Sequence, residues 1–202
     1  TDYLVNHSVD AVVSPFVEHS GMYLFNETHQ GRGLVMLKHP VKRVIDEHLS
    51  RSSRDSGGGG VLGVSLQDLV ESKDLVDNLV TRALVGMTNP LEDVNQTHVV
   101  IAREILRRKF VVGLFEWFDL SIARFEDYLD WWEDRNILSN LTINQCHFKI
   151  IQSEERQGVL EVGHHRGNEW RVLERRNWAD VSLYRYAKRL FGLQRNLLKH
   201  DE

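Results

Sequence analysis

The sequence predicts an α/β fold: a parallel sheet flanked by helices, incomplete at its N-terminus. Two apolar runs carry that prediction, Leu34-Val-Met-Leu37 and Phe110-Val-Val-Gly-Leu114. Short continuous runs of this kind suit strands covered on both faces. Helical periodicity fills the chain between and after them, as a parallel crossover requires. Two or three strands are too few for a self-sufficient parallel sheet. With Thr1 rather than Met at the start, further strands are expected upstream.

Residues 1–30 lack a clear period, although Ala11-Val12-Val13 fits a short buried strand and Ser14-Pro15 a turn. The run from Leu34 is entered through Gly31 and Gly33 and followed by Lys38-His39-Pro40. Proline suits the first turn of a helix, where its missing N–H has no partner to lose. Val41, Val44, Ile45 and His48 then recur at helical spacing. Ser50 to Gly60 reads as a flexible surface loop, with too little apolar surface to order itself.

Ser65 caps a short helix. Residues 75–86 place Leu75, Leu79, Arg82 and Ala83 on one face. Pro90 opens a helix running to about Arg108, with Val94, Ile101 and Ile105 inward. After the second strand a helix starts near Ser121, with Ile122, Phe125 and Leu129 spaced for burial. Residues 133–168 read as an insertion containing an alternating patch, Cys146–Ile151. The last helix spans about Ala179 to Leu198, its stripe made by Leu183, Tyr184, Ala187, Leu190 and Phe191, with Asp180 near its positive end. The whole is read as a single domain, 1–202.

A formal charge of −4 demands no nucleic-acid partner. The basic residues cluster, however, at Arg103, Arg107, Arg108 and Lys109 and again at Arg171, Arg175 and Arg176. These are solvated helix faces or part of an anion-binding rim. The single cysteine excludes an internal disulfide. No apolar run approaches the roughly 18–20 residues of a membrane span. Four Asn-x-Ser/Thr triplets begin at Asn6, Asn26, Asn95 and Asn140. Composition alone predicts about one, so the excess points to a secretory-pathway lumen. His164-His165 has no cysteine or carboxylate at ligand spacing, and no metal is expected. Trp131-Trp132 suits core packing or a sugar-stacking platform.

The segment Leu34-Val-Met-Leu-Lys-His-Pro-Val-Lys-Arg43 resembles a signature of sulfotransferases that use 3′-phosphoadenosine 5′-phosphosulfate. The family form is a strand ending in Arg-x-Pro, then Val-x-Arg, then a helical serine. Asn78-Leu-Val-Thr81-Arg82-Ala-Leu-Val-Gly86 is similar to the family's helix after the 3′-phosphate site. Ala102 to Leu114 with Glu116 is similar to its late strand, and Asn177-Trp-Ala-Asp180 through Phe191 to its terminal helix. Together these cover most of residues 20–130 and 177–195. The overall form resembles the Golgi-type, membrane-anchored carbohydrate and protein sulfotransferases.

The resemblance implies a P-loop NTPase-like fold, the nucleotide as sulfuryl donor and a hydroxyl acceptor on a carbohydrate or glycoprotein. It also implies a Golgi lumen or membrane location, with the cytoplasm as alternative, and allows a membrane anchor upstream. On it, Lys38 stands where the family's arginine holds the 3′-phosphate, Asp46 where its serine donates to that phosphate, and Arg43, Thr81 and Arg82 approach the nucleotide.

Three departures matter. No phosphate loop of the Gly-x-x-x-x-Gly-Lys-Ser/Thr kind is present, and the glycines at 57–60 are not followed by Lys-Ser/Thr. Lys38 keeps the charge of arginine but loses its bidentate fork. Asp46 brings a carboxylate towards a phosphate. At about 4 Å and an effective dielectric of about 20, each such pair costs on the order of 4 kcal/mol. Arg43 stands at i, i+3 to Asp46 and is expected to offset that repulsion.

No catalytic base is assigned: the spacing of His7, Glu18, His19 and His29 selects none of them. Glu116 either faces the site or serves a cap or ion pair. The alternative to a transferase is an inactive sulfotransferase-like binding module with a degraded donor site.

Overall fold

The computed structural model describes residues 32–55, 66–72, 75–129 and 167–197. Outside them lie the Ala11–Val13 strand, the acidic and basic candidates of residues 1–30, the four glycines, the Ser65 cap, Trp131-Trp132 and the insertion from 133 to 166. The described residues are mostly helical around a two-stranded parallel sheet, compatible with an α/β fold.

The strands are β1 (Gly33–Leu37) and β2 (Phe110–Leu114), in register from Gly33 beside Phe110 to Leu37 beside Leu114. Both therefore end at the same level, and the residues that follow them emerge side by side. The helices are α1 (Pro40–Asp55), α2 (Leu66–Glu71), α3 (Leu79–Val85), α4 (Gln96–Lys109), α5 (Phe118–Leu129), α6 (Asn168–Arg176) and α7 (Trp178–Leu193). Short 3-10 turns occupy Phe115–Trp117 and Gln194–Leu197.

The outer edge of β2 is closed by side chains. Along a strand, the N–H and C=O of every second residue point the same way. Here those of Phe110, Val112 and Leu114 point away from β1. The Gln194 amide accepts from the Val112 N–H (2.9 Å) and donates to the Phe110 carbonyl (2.8 Å). Ser121 accepts from the Leu114 N–H (2.8 Å) and donates to the Leu114 carbonyl (3.0 Å), and Arg124 donates to that of Val112 (3.4 Å). Gln194 thus stands in for a neighbouring strand, and among the described residues the sheet ends at β2.

Apolar burial organises the remainder. Leu183, Tyr184, Ala187, Leu190 and Phe191 of α7 pack with Leu84, Ala102, Leu106, Val112 and Leu114 as one core. Val41, Val44 and Ile45 of α1 join Leu69 and Leu173 in a second. Each fully buried aliphatic side chain contributes about 1.5–3 kcal/mol of transfer free energy.

Four expectations are corrected. Ser50–Asp55 continues α1 rather than opening the loop. Pro90 lies in a turn, and α4 begins at Gln96. There Asn95 accepts from the Thr97 and His98 N–H groups (2.9 and 3.2 Å), and His98 accepts in return from the Asn95 N–H (3.2 Å). This is a capping box with histidine in the place of Glu or Gln. The turn so placed sends Val99, Ala102 and Leu106 inward and leaves Ile101 exposed.

On α3 the buried residues are Thr81, Arg82 and Leu84, while Leu79 is exposed. The helix ends at Gly86, whose φ of 72° is a left-handed C-cap. α5 begins at Phe118, and its inward residues are Ser121, Arg124 and Phe125, with Leu129 exposed.

Candidate functional site

In a parallel sheet, ligand sites lie beyond the C-terminal ends of the strands. β1 delivers Lys38 and His39 there, and β2 delivers Phe115 and Glu116. α7 passes across the opening with Tyr184 and Lys188, and α6 contributes Trp170. His39 stacks on Trp170 at 5.3 Å between centroids and meets the Tyr184 ring edge-on at 5.4 Å. The Lys38 ammonium sits 4.2 Å from the centre of the Phe115 ring, and that of Lys188 5.9 Å from the Tyr184 ring.

One buried polar atom in this cluster, His39 Nδ1, has no hydrogen-bond partner, and the Tyr184 hydroxyl is turned towards the Glu116 carboxylate. Unpartnered buried atoms are rare in folded proteins because each forfeits its hydration. Burial lowers the His39 pKa, as do the charges of Lys42 and Lys188, while Glu116 and Glu174 oppose the shift. The imidazole is therefore neutral at pH 7. Burial, reinforced by Glu116, pushes the Tyr184 hydroxyl well above its ordinary range, so it keeps its proton. The site thus pairs a neutral base with a phenolic donor beside a carboxylate and two ammonium groups. It suits a hydroxyl that must be oriented and relieved of its proton.

The structure divides the five residues singled out in the sequence. Lys38 and Asp46 form an ion pair. Arg43 does not offset the Asp46 charge as expected. It pairs instead with Glu47, one full turn along α1, at 3.1 Å, because the end of β1 brings Lys38 to Asp46 first. Thr81 is fully buried and donates its N–H and hydroxyl to Asp180 at 2.8 and 2.7 Å. Arg43 acts on the same carboxylate through its charge. Arg82 is buried, donating to Asp77 Oδ1 at 2.7 Å and to the Asn89 carbonyl at 3.2 Å.

His39 and Tyr184 were not singled out from sequence. His39 occupies the variable position of the Lys-x-Pro triplet. Tyr184 falls within an apolar stripe, where its hydroxyl leaves no trace in the periodicity. The one signal for it is position: His39 is the second residue beyond a strand end. Glu116, left open between two roles, faces the site.

Among the described residues no three His, Cys, Asp or Glu side chains gather to hold a metal, and no helix is long and apolar enough to cross a membrane. No family model, curated protein or solved structure matches the chain.

Proposed function

We propose that the chain carries a sulfotransferase-type site on a P-loop NTPase-like fold. It would transfer a sulfuryl group from 3′-phosphoadenosine 5′-phosphosulfate to a hydroxyl of a carbohydrate or glycoprotein in the Golgi lumen. The observation that carries this reading is the unpartnered buried Nδ1 of His39, packed against the Tyr184 ring at the C-terminal ends of β1 and β2.

The donor supplies the sulfuryl group. Of this chain, Lys38 would hold an oxygen of its 3′-phosphate. Tyr184 would donate a hydrogen bond to the acceptor oxygen. Neutral His39 would take the acceptor's proton, and the Glu116 carboxylate would stabilise the imidazolium so formed.

The ion pair between Lys38 and Asp46 favours a second reading, a binding module whose donor site is filled by its own carboxylate. Two magnitudes bear on the choice. A partly exposed ion pair contributes about 0.2–1 kcal/mol, a weak lock. The repulsion between Asp46 and an incoming phosphate is several times larger unless the carboxylate turns away. Donor affinity is therefore reduced in either reading, and Asp46 sets it.

Calorimetric titration of the protein with 3′-phosphoadenosine 5′-phosphate tests this. Weak but measurable binding that tightens at least tenfold in Asp46→Ser and vanishes in Lys38→Ala supports the transferase site. No binding by the native protein, with binding restored by Asp46→Ser, supports the module. Binding indifferent to both substitutions overturns the assignment of the donor site.

A further inference from the structure

A second cationic site lies on the surface formed by α6 and α7. The two helices meet at Asn177 and open into a cleft of about 640 Å³, within the range of small-ligand sites. Arg171 and Arg175 line it from consecutive turns of α6, and Arg185 from α7. Trp178 and Val181, on the same side of α7, supply its apolar wall. The Trp178 side of the cleft is open to solvent, the residue being 38% exposed.

Among the described residues, none of the three guanidiniums has an ion pair or hydrogen bond. The neighbouring arginines do: Arg176 donates to the Val70 and Ser72 carbonyls, both at 3.1 Å. Arg107 and Arg108 share Glu104, and Arg103 donates to Ser182 at 2.7 Å. Among the described residues that line the cleft the one carboxylate is Glu174, so three cations face one anion there. Like charges one helical turn apart, such as Arg171 and Arg175, disfavour the helix that carries them. An anion bound between them reverses that sign. Guanidinium forks match tetrahedral oxyanions, and an exposed indole offers a flat face for a ring.

We propose that this cleft binds a ring-bearing phosphate or sulfate monoester. The ester group sits among Arg171, Arg175 and Arg185, the ring lies against Trp178, and Glu174 accepts from a hydroxyl or amino group of the ligand. The site needs neither Lys38 nor the donor chemistry proposed above, so it stands independently of that reading.

Titration calorimetry on the whole protein tests it, with adenosine 5′-monophosphate, galactose 6-sulfate and inorganic sulfate as probes. At least one of the two ring-bearing esters is expected to bind with a Kd on the order of 0.1 mM and at least tenfold more tightly than inorganic sulfate. The ester that wins tells a nucleotide site from a sulfated-sugar site. Arg171→Gln with Arg175→Gln should weaken that binding at least tenfold. Trp178→Leu should remove the preference over inorganic sulfate. All these side chains are on the surface, and circular dichroism confirms that each variant remains folded; Arg185→Gln is the substitute should the Trp178 variant fail. Equal binding of all three probes, or binding lost in Lys38→Ala but kept in the double arginine variant, would overturn the proposal.

Discussion

Asn78 and Asp180 each cap the helix that the other begins. The Asn78 side-chain oxygen accepts from the Ala179 and Asp180 N–H groups, at 2.9 and 3.2 Å, at the start of α7. The Asp180 carboxylate accepts from the Val80 and Thr81 N–H groups, at 3.1 and 2.8 Å, at the start of α3. Asn177 completes the joint by accepting from the Asn78 N–H at 3.2 Å. Asn78 reaches this position in the left-handed conformation, φ 48°, which asparagine tolerates better than most residues. Two helix ends that would otherwise bury unsatisfied donors thus satisfy each other.

Removing Asp180 should cost more than an ordinary cap. Asp180→Ala strands two backbone donors and the Thr81 hydroxyl in the interior, at a cost of about 2–4 kcal/mol. The denaturation midpoint should fall with an unchanged slope. Burial raises the Asp180 pKa above its ordinary 3.8, against the hydrogen bonds from Thr81 and Val80 and the charge of Arg43. An acid shifted upward holds its proton more tightly when folded. The deficit of the alanine variant should therefore be largest at low pH and shrink as pH rises from 3.8 through the native value.

Gln194 offers a test of the closed sheet edge. Gln194→Leu has similar bulk but leaves the Val112 N–H and the Phe110 carbonyl without partners in a buried place. The expected loss is about 2–3 kcal/mol, from the unpaired groups rather than from packing. Amide exchange at Val112 should accelerate more than at Val111, whose N–H faces β1. Equal acceleration at both would mean that the whole strand has loosened.

Asp180 and Gln194 act across long stretches of chain, which local sequence pattern does not encode. The strand Phe110–Leu114 and the stripe of α7 were legible because apolar period is local. So was the helix after Pro40, since proline marks a first turn. The buried face of α3 was not legible: Thr81 and Arg82 are polar, and Thr81 is buried by a partner 99 residues away. Leu79, the apolar residue that local spacing sends inward, is exposed. The start of α4 was misplaced because His98 completes its capping box in the place of an acidic or amide side chain. Lys38 and Asp46 were singled out by the resemblance of the segment that forms β1 and α1. Their pairing with each other depends on how α1 folds back beside the strand end, which no spacing encodes.

Gly113 is fixed by close approach rather than by backbone conformation. A Cβ built there would lie 2.6 Å from the tip of the Phe125 ring and 3.0 Å from Ser121 Cβ. Phe125 is buried and cannot swing aside. Gly113→Ala should destabilise by about 1–3 kcal/mol through overpacking. Phe125→Leu in the same chain should recover part of that loss, so the double variant is expected to be more stable than the sum of the single effects allows.

Glu104 should titrate far below an ordinary glutamate. Hydrogen bonds from Arg107 and Arg108 lower its pKa from 4.5 to about 2. A carboxylate with a lowered native pKa contributes to stability above its unfolded value and loses that contribution as pH falls through about 2. Carbon-detected NMR on the native protein should show the low value. In Arg107→Ala with Arg108→Ala the titration should return towards the ordinary range. Because all three side chains are exposed, the double variant should barely change the denaturation midpoint at pH 7.

His39 should make the fold sensitive to mild acid. Its pKa is lowered, chiefly by burial, with Lys42 and Lys188 adding to the shift and Glu116 and Glu174 opposing it. A histidine so shifted binds its proton less readily folded than unfolded. Stability therefore falls as pH drops below the ordinary 6.5 and through the lowered native value. His39→Phe keeps a flat ring against Trp170 and Tyr184 but removes the titrating group. Denaturation midpoints at pH 7.5 and pH 5 should accordingly fall further for the native protein than for the variant. The same substitution should abolish sulfuryl transfer at pH 7, since the neutral imidazole is the base proposed for it. An equal loss of stability on acidification in both proteins would show that burial does not disfavour the charged imidazole, and the acid sensitivity would then lie elsewhere. Sulfuryl transfer retained by His39→Phe at pH 7 would overturn its role as base.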